Sequence, residues 1–275
     1  MRRIQFSLTV SEGKWLIAHA IADMKEVRDA IAGGRIVLKG GTTVSCVSEL
    51  ITGTPLRICG RISKRGAVSS KFTDSAQHSI MYSNGEITGL DPDFDTALLQ
   101  LGPNDVIIIG ANIIDNFAML AGSPAGNNCG RGVSAMSVEG GKTIIAAGME
   151  KLIPGSVWDS IRAAQRKGVD ASRGMACGLF PVVGELVTEL SAIKLIADVE
   201  ATLIGRGGID GAEGGCLFQA CGSEAEVVKL EAVLEKCYGR QTSGEEKSMV
   251  ECSFPCAQCG RHLSCCYKAK GAKRC

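Results

Sequence analysis

The sequence predicts an α/β protein: a Rossmann-like parallel sheet with helices on both faces, followed by a small α+β subdomain of ferredoxin-like form. Three observations carry this prediction. Apolar runs such as Ile36-Val37-Leu38 and Val106-Ile107-Ile108-Ile109 lack polar alternation, so they read as strands buried on both faces. Segments of helical periodicity alternate with them, the order that βαβ units require. The 35 glycines among 275 residues, about twice the usual share, supply tight turns between strand and helix.

The elements follow in order. Residues 3–10 read as a strand. Residues 15–32 read as one helix, with Leu16, Ile17, Ala20, Ile21, Met24 and Val27 on one face and Gly33-Gly34 as its stop. A buried strand over 35–39 leads through Gly40-Gly41-Thr42-Thr43 into a helix over 44–51. Strands are expected over 56–62 and 79–83, around a polar loop, and a short helix over 96–101. The run 105–109 is a strand between turn signals, followed by a glycine-rich loop over 110–132 and a helical stretch over 134–139. A strand over 143–147 and a helix over 158–166 complete the first domain, residues 1–180.

Residues 185–240 form the small subdomain: helix 185–197, strands 201–205 and 216–220, and helix 224–237. Ser223 is placed to cap the last helix, with Glu226 completing a capping box. Residues 241–250 read as a polar linker to a cysteine-rich tail, and 241–275 is treated as one unit.

Composition narrows the function. A 45% hydrophobic chain can core one large and one small domain. A net charge of +1 argues against a protein that coats nucleic acid, and 4% aromatics argue against aromatic binding platforms. No apolar run approaches the ~18 residues of a membrane helix. Ser11, Glu12, Gly13 and Lys14 interrupt the N-terminal apolar stretch too early for a signal peptide. The expectation is a cytoplasmic protein with no membrane partner, and a homo-oligomer if the sheet of the subdomain dimerises.

Two loops carry candidate ligand chemistry. Gly40, Gly41, Thr42 and Thr43 end a buried strand and open a helix, so backbone N–H groups, hydroxyls and the helix N-terminus can meet an anion there. The same pattern also describes a capped βα turn. The loop after residue 109 holds Gly110, Asn112, Asp115, Ser123 and Arg131. Asp115 is a candidate general base and Arg131 a candidate bidentate anion ligand. Glu150 lies just beyond a strand, where it is either a base or nucleophile at the strand ends or a surface partner of a lysine. His19 and His78 read as structural.

These stretches, Lys39-Gly40-Gly41-Thr42-Thr43, Ile109-Gly110-Ala111-Asn112-Ile113-Ile114-Asp115 and Gly148-Met149-Glu150-Lys151-Leu152-Ile153-Pro154, together resemble the NagB/RpiA/CoA-transferase-like superfamily over roughly residues 20–170. The resemblance implies that Gly40 to Thr43 hold phosphate. Gly110, Ala111 and Asp115 match the ribose-phosphate isomerase signature Gly-Ala-Asp-Glu-x-Asp, with Asn112 and Ile113 in place of its first acidic pair. The Glu150-to-Pro154 stretch is similar to the lactate-utilisation branch, whose members work near iron–sulfur proteins.

Thirteen cysteines are unevenly spread, and six fall in the last 24 residues: Cys252, Cys256, Cys259, Cys265, Cys266 and Cys275. Cys256-x2-Cys259-Gly260 is a metal knuckle, with Cys252, His262, Cys265 and Cys266 available to complete a zinc or iron–sulfur site. A disordered reduced tail and a disulfide-forming redox tail are the alternatives. Three readings follow. The chain is an isomerase- or transferase-like enzyme on a phosphorylated metabolite or CoA ester, a non-catalytic sensor of such a ligand, or a metal-binding scaffold or redox partner.

Overall fold

The computed structural model describes residues 1–69, 75–115, 121–125, 138–252 and 259–267, with the backbone alone at 121–125. Strand β1 (Arg2–Leu8) leads into helices α1 (Val10–Asp23) and α2 (Lys25–Gly33). The single helix expected over 15–32 is therefore two. Met24 takes an extended conformation, and its N–H bonds Ile21 O while its carbonyl accepts from Val27 and Arg28. It closes one helix and opens the next. The first helix begins at Val10 because Thr9 and Glu12 form a complete capping box.

Then follow β2 (Ile36–Lys39), α3 (Thr42–Thr52), the hairpin β3 (Gly60–Ser63) and β4 (Gly66–Ser69), β5 (Ser79–Ser83), β6 (Glu86–Gly89) and α4 (Phe94–Leu98). After these come β7 (Val106–Gly110), β8 (Ile113–Ile114), β9 (Ala121–Ala125), β10 (Lys142–Ala146) and α5 (Val157–Ala163). The last are β11 (Gly178–Val182), β12 (Glu185–Val187), α6 (Glu189–Ile196), β13 (Val199–Gly207), β14 (Gly215–Gly222) and α7 (Glu224–Cys237). The helix expected over 134–139 lies largely outside the described residues.

The molecule is mixed α/β, and its central sheet has the order β12-β10-β7-β2-β5-β6. The four strands β12, β10, β7 and β2 are parallel, with Lys142 and Ile36 flanking Val106 in register. At one edge β5 pairs antiparallel with both β2 and β6, so the expected parallel sheet is a mixed one. A short hairpin connection at Asn84-Gly85, both at positive φ, turns β5 back as β6.

Alternation along the central strands explains their unbroken apolar runs. Ile36, Leu38, Val106 and Ile108 face one core cluster with α1, α2 and α3, while Val37, Ile107 and Ile109 face the other. The second face, to which Leu186 of β12 also contributes, is covered by α4, Leu90, Leu101 and the end of β11, with no long helix among the described residues.

Residues 185–187 were expected to open a helix, but they form β12 against β10 in the central sheet. Thr188 then caps α6. Beyond it, β13 and β14 take a third strand from the N-terminus, because β1 pairs antiparallel with β14 from Arg2↔Gly222 to Leu8↔Cys216. The helices α1, α6 and α7 pack between this sheet and the central one in a single buried cluster. Segment 185–240 therefore shares a sheet and a core with the N-terminal region. Ser223 caps α7 as expected, but the Glu226 carboxylate accepts from Asp198 N rather than closing a box.

The strand expected over 56–62 begins only at Gly60. Upstream, Leu56 O accepts from Glu245 N, Ile58 N donates to Ser248 Oγ and Arg57 N to Gln77 O. The segment expected as a solvated linker, 241–250, is thus a docked strap in which Ser243 and Ser248 are buried.

Candidate functional site

A cleft of about 1170 Å³ opens at the carboxyl ends of β2, β7 and β10, where ligands bind in open α/β sheets. Its first wall is the turn after β2. Gly40 N donates to His78 O at 2.7 Å, and a side-chain carbon on Gly40 would fall 2.4 Å from both His78 Nδ1 and O. Only glycine fits there. Helix α3 then starts without a side-chain cap, so its first N–H groups remain for a ligand. Thr43 is 2% exposed, and its Oγ1 has no hydrogen-bond partner among the described residues, although Thr43 lines the cleft. Lys39 Nζ lies 4.1 Å from the Phe94 ring centroid at the same mouth.

The second wall is Gly110-Ala111-Asn112 at the end of β7. The third follows β10, where Met149–Lys151 make a 3-10 turn. Glu150 Oε1 lies 3.6 Å from Lys151 Nζ, and its buried Oε2 has no partner among the described residues. Behind it sit Lys14 of α1, 8% exposed, and Glu189 of α6, 3% exposed. Glu189 Oε2 accepts from Met149 N at 2.7 Å. Burial, and then the Glu150 charge, push the Glu189 carboxyl up to about 7. Burial and the neighbouring Lys151 lower the Lys14 ammonium from its usual range.

The fourth wall faces the strand ends. Arg57 reaches Asp91 Oδ2 at 2.6 Å, and Asp91 also accepts from His78 N and Ser79 N. Burial pulls His78 down to about 4, with Lys39 next in effect, and its Nδ1–H donates to Arg57 O at 2.9 Å. Arg61 donates to the carbonyls of Ser248 and Val250, tying the strap to β3. His262, 2% exposed, reaches in from the tail and accepts from Ser69 Oγ on β4 at 2.7 Å.

The structure thus brings Gly40, Gly41, Thr42, Thr43, Gly110, Asn112 and Glu150 to one cleft. Asp115 is elsewhere: it is 1% exposed, and its Oδ2 accepts from Val157 N at 2.7 Å at the start of α5. That placement serves the entry to the helix and not the cleft. Ser123 sits in β9 opposite Phe180, and Arg131 lies outside the described residues. Sequence reasoning missed Lys14, Glu189, Arg57 and Arg61; His78, read as structural, lies buried in the cleft wall with its ring on Arg57 O. Only Lys14 left a signal, since Val10, Lys14, Ile17 and Ile21 share one stripe of α1 and a lysine there is out of pattern.

In the tail, Cys265 is buried beside Ser172. Cys266 is disulfide-bonded, which withdraws its thiolate from any metal; Cys256 lies outside the described residues. No group of three His, Cys, Asp or Glu side chains that could hold a metal ion is found among the described residues. No helix among the described residues is long and apolar enough to cross a membrane. No protein family matches the chain, and no curated protein or solved structure does either.

Proposed function

We propose that this chain is an acid–base enzyme that acts on a small phosphorylated carbonyl metabolite, in a Rossmann-like core of the NagB/RpiA/CoA-transferase kind that its motifs resemble. One observation carries the reading. An uncapped helix N-terminus with the unpartnered Thr43 hydroxyl shares a cleft with Glu150, whose buried Oε2 is also unpartnered. The first supplies donors to an anion, and the second supplies an acceptor for a proton.

In this reading the phosphoryl group sits on the α3 N–H groups and Thr43 Oγ1, with Lys39 countering its charge. Glu150 takes a proton from the hydroxyl-bearing carbon beside the substrate carbonyl and returns it to the carbonyl carbon, while the hydroxyl proton passes to the former carbonyl oxygen, so the product is an isomer and nothing is consumed. The Lys14 ammonium steadies the negative charge that grows on the substrate oxygen meanwhile.

The test uses a panel of phosphorylated sugars, read by melting temperature and by substrate proton exchange in deuterated buffer. Thr43→Ala and Lys39→Ala should each weaken binding by about tenfold, the order expected for a lost hydrogen bond to a charged group. Glu150→Gln should bind normally and exchange nothing. Exchange that survives in Glu150→Gln removes Glu150 as the base. Binding without exchange in the wild type selects the sensor reading instead.

The size of the cleft favours one second reading. About 1170 Å³ exceeds the usual ~300–1,000 Å³ of small-molecule sites, so a CoA ester also fits, with the Glu150 carboxylate taking the acyl group as a mixed anhydride as the thioester breaks and CoA leaves as its thiolate. Stabilisation by acyl-CoA but not by sugar phosphates selects that reading.

A further inference from the structure

We propose that Glu150 and Glu189 form a carboxyl pair that holds one proton between them, with Glu189 as the positioning residue that stores it. The geometry begins at two glycines. A side-chain carbon on Gly148 would fall 2.0 Å from Glu150 Oε2 and 2.8 Å from Glu189 Oε1, so both carboxyl groups converge on the space that Gly148 vacates. A carbon on Gly13 would fall 2.6 Å from Glu189 Oε1. Gly13 lies inside α1, where glycine is less favourable than alanine, and its place there makes room for Glu189.

The hydrogen bonding assigns the proton. Glu189 Oε2 is engaged by Met149 N, and Glu150 Oε1 faces Lys151. That leaves Glu150 Oε2, buried and without a donor among the described residues, beside Glu189 Oε1. A proton on Glu189 Oε1 supplies the missing donor. Two ionised carboxylates in one dry notch repel, and a shared proton removes the repulsion.

Other charged and titratable groups face the pair from every packed element. Lys14 comes from α1 and Lys151 from the 3-10 turn, and both favour one ionised member. Cys216 on β14, with Arg206 beside it, carries a thiol that burial pushes up to about 11, so it stays neutral. Cys46 on α3, near Lys14, is likewise pushed up to about 12. The ionised member is Glu150, which has the lysine contact and the wall of the cleft. Glu189, deeper and next to no lysine within 4 Å among the described residues, is the protonated one.

For turnover this inference rests on the role proposed for Glu150: the stored proton sets when Glu150 is free to act as a base. The pair itself is tested without substrate. Wild type, Glu189→Gln and Glu150→Gln are titrated between about pH 5 and pH 9. Infrared difference spectroscopy reads the carboxylic-acid C=O stretch, and melting temperature is recorded in parallel. The wild type should show one carboxyl group losing its proton near neutrality, which Glu189→Gln lacks. Glu150→Gln should lower that midpoint by on the order of one pH unit, because the like charge is gone.

A wild type with no carboxyl group titrating near neutrality overturns the proposal, and that measurement stands even if a variant does not fold. A midpoint that Glu150→Gln leaves in place also overturns it, since Glu189 would then be a solitary buried acid. Neither result touches phosphate binding at Thr43. Failure of phosphates to bind, in turn, leaves the pair intact.

Discussion

Burying an ionisable group makes stability depend on pH, and His78 and Glu189 do so in opposite directions. His78 is held neutral, down to about 4 from its usual 6.5, so its contribution is complete above about 6.5 and is lost as pH falls toward 4. Glu189 is raised to about 7, so its contribution is complete below about 4.5 and is lost as pH rises through 7. His78→Gln should therefore flatten the acid side of the stability curve. The wild type should lose on the order of 2 kcal/mol between pH 6.5 and pH 4 that the variant keeps. Urea unfolding at the two pH values checks this, and an equal loss in both proteins assigns the acid sensitivity to other groups.

The same residues mark how far the site can be read from sequence. Gly40 to Thr43 are consecutive and obey a local rule, a strand end followed by a helix start, so they are visible. Glu189 comes beside Glu150, behind the cleft wall, only because β12 ends two residues earlier and α6 follows at once. That is a fact of tertiary packing. With a helix assigned across 185–197, residue 189 looks like any glutamate on a helix.

Asp115 shows the converse at the level of elements: a motif position turned to structural use. Its carboxylate accepts from Val157 N, and α5 has only seven residues, so this anchor weighs heavily on it. Asp115→Ala should leave Val157 N buried without this acceptor and cost about 1–3 kcal/mol. Ligand affinity should not change. Chemical denaturation and calorimetric titration measure the two separately, and lost affinity with stability intact would return Asp115 to the site.

The elements that misled share one cause. Residues 56–59 have the composition of a strand, but the strap engages Leu56 O and Ile58 N from one side and Gln77 O takes Arg57 N from the other. Residues 241–250 have the composition of a linker, yet Ser243 Oγ donates to Ser45 Oγ at 2.6 Å and Trp15 Nε1 donates to Gln241 O at 2.8 Å. Polar residues chosen to satisfy buried backbone look, in a one-dimensional pattern, like polar residues chosen for water.

At the scale of the molecule the two ends of the chain close what the middle builds. The N-terminal strand completes the β1-β14-β13 sheet, and the tail completes the cleft. Residues 263–266 are hydrogen-bonded to the segment 172–176: Ser172 N donates to Ser264 O, Ala176 N to Leu263 O, and Cys266 N to Ser172 O. Arg65 stacks over the Tyr267 ring at 4.2 Å, and His262 engages Ser69, so the tail holds the β3–β4 hairpin against the rest.

A cysteine-rich tail that read as an appendage is therefore part of the wall. His262→Ala should leave Ser69 Oγ and its N–H without their acceptor, lowering stability by about 1 kcal/mol and the melting temperature by a few degrees. Removing residues 251–275 should do more to the cleft than to the core, because among the described residues none in the two buried clusters lies beyond Cys237. The shortened chain should keep its far-ultraviolet circular dichroism and lose phosphate affinity, measured against Thr43→Ala as the reference for a damaged anion site. Unchanged affinity in the shortened chain would mean that the strand-end side of the cleft binds alone, and that the tail serves another purpose.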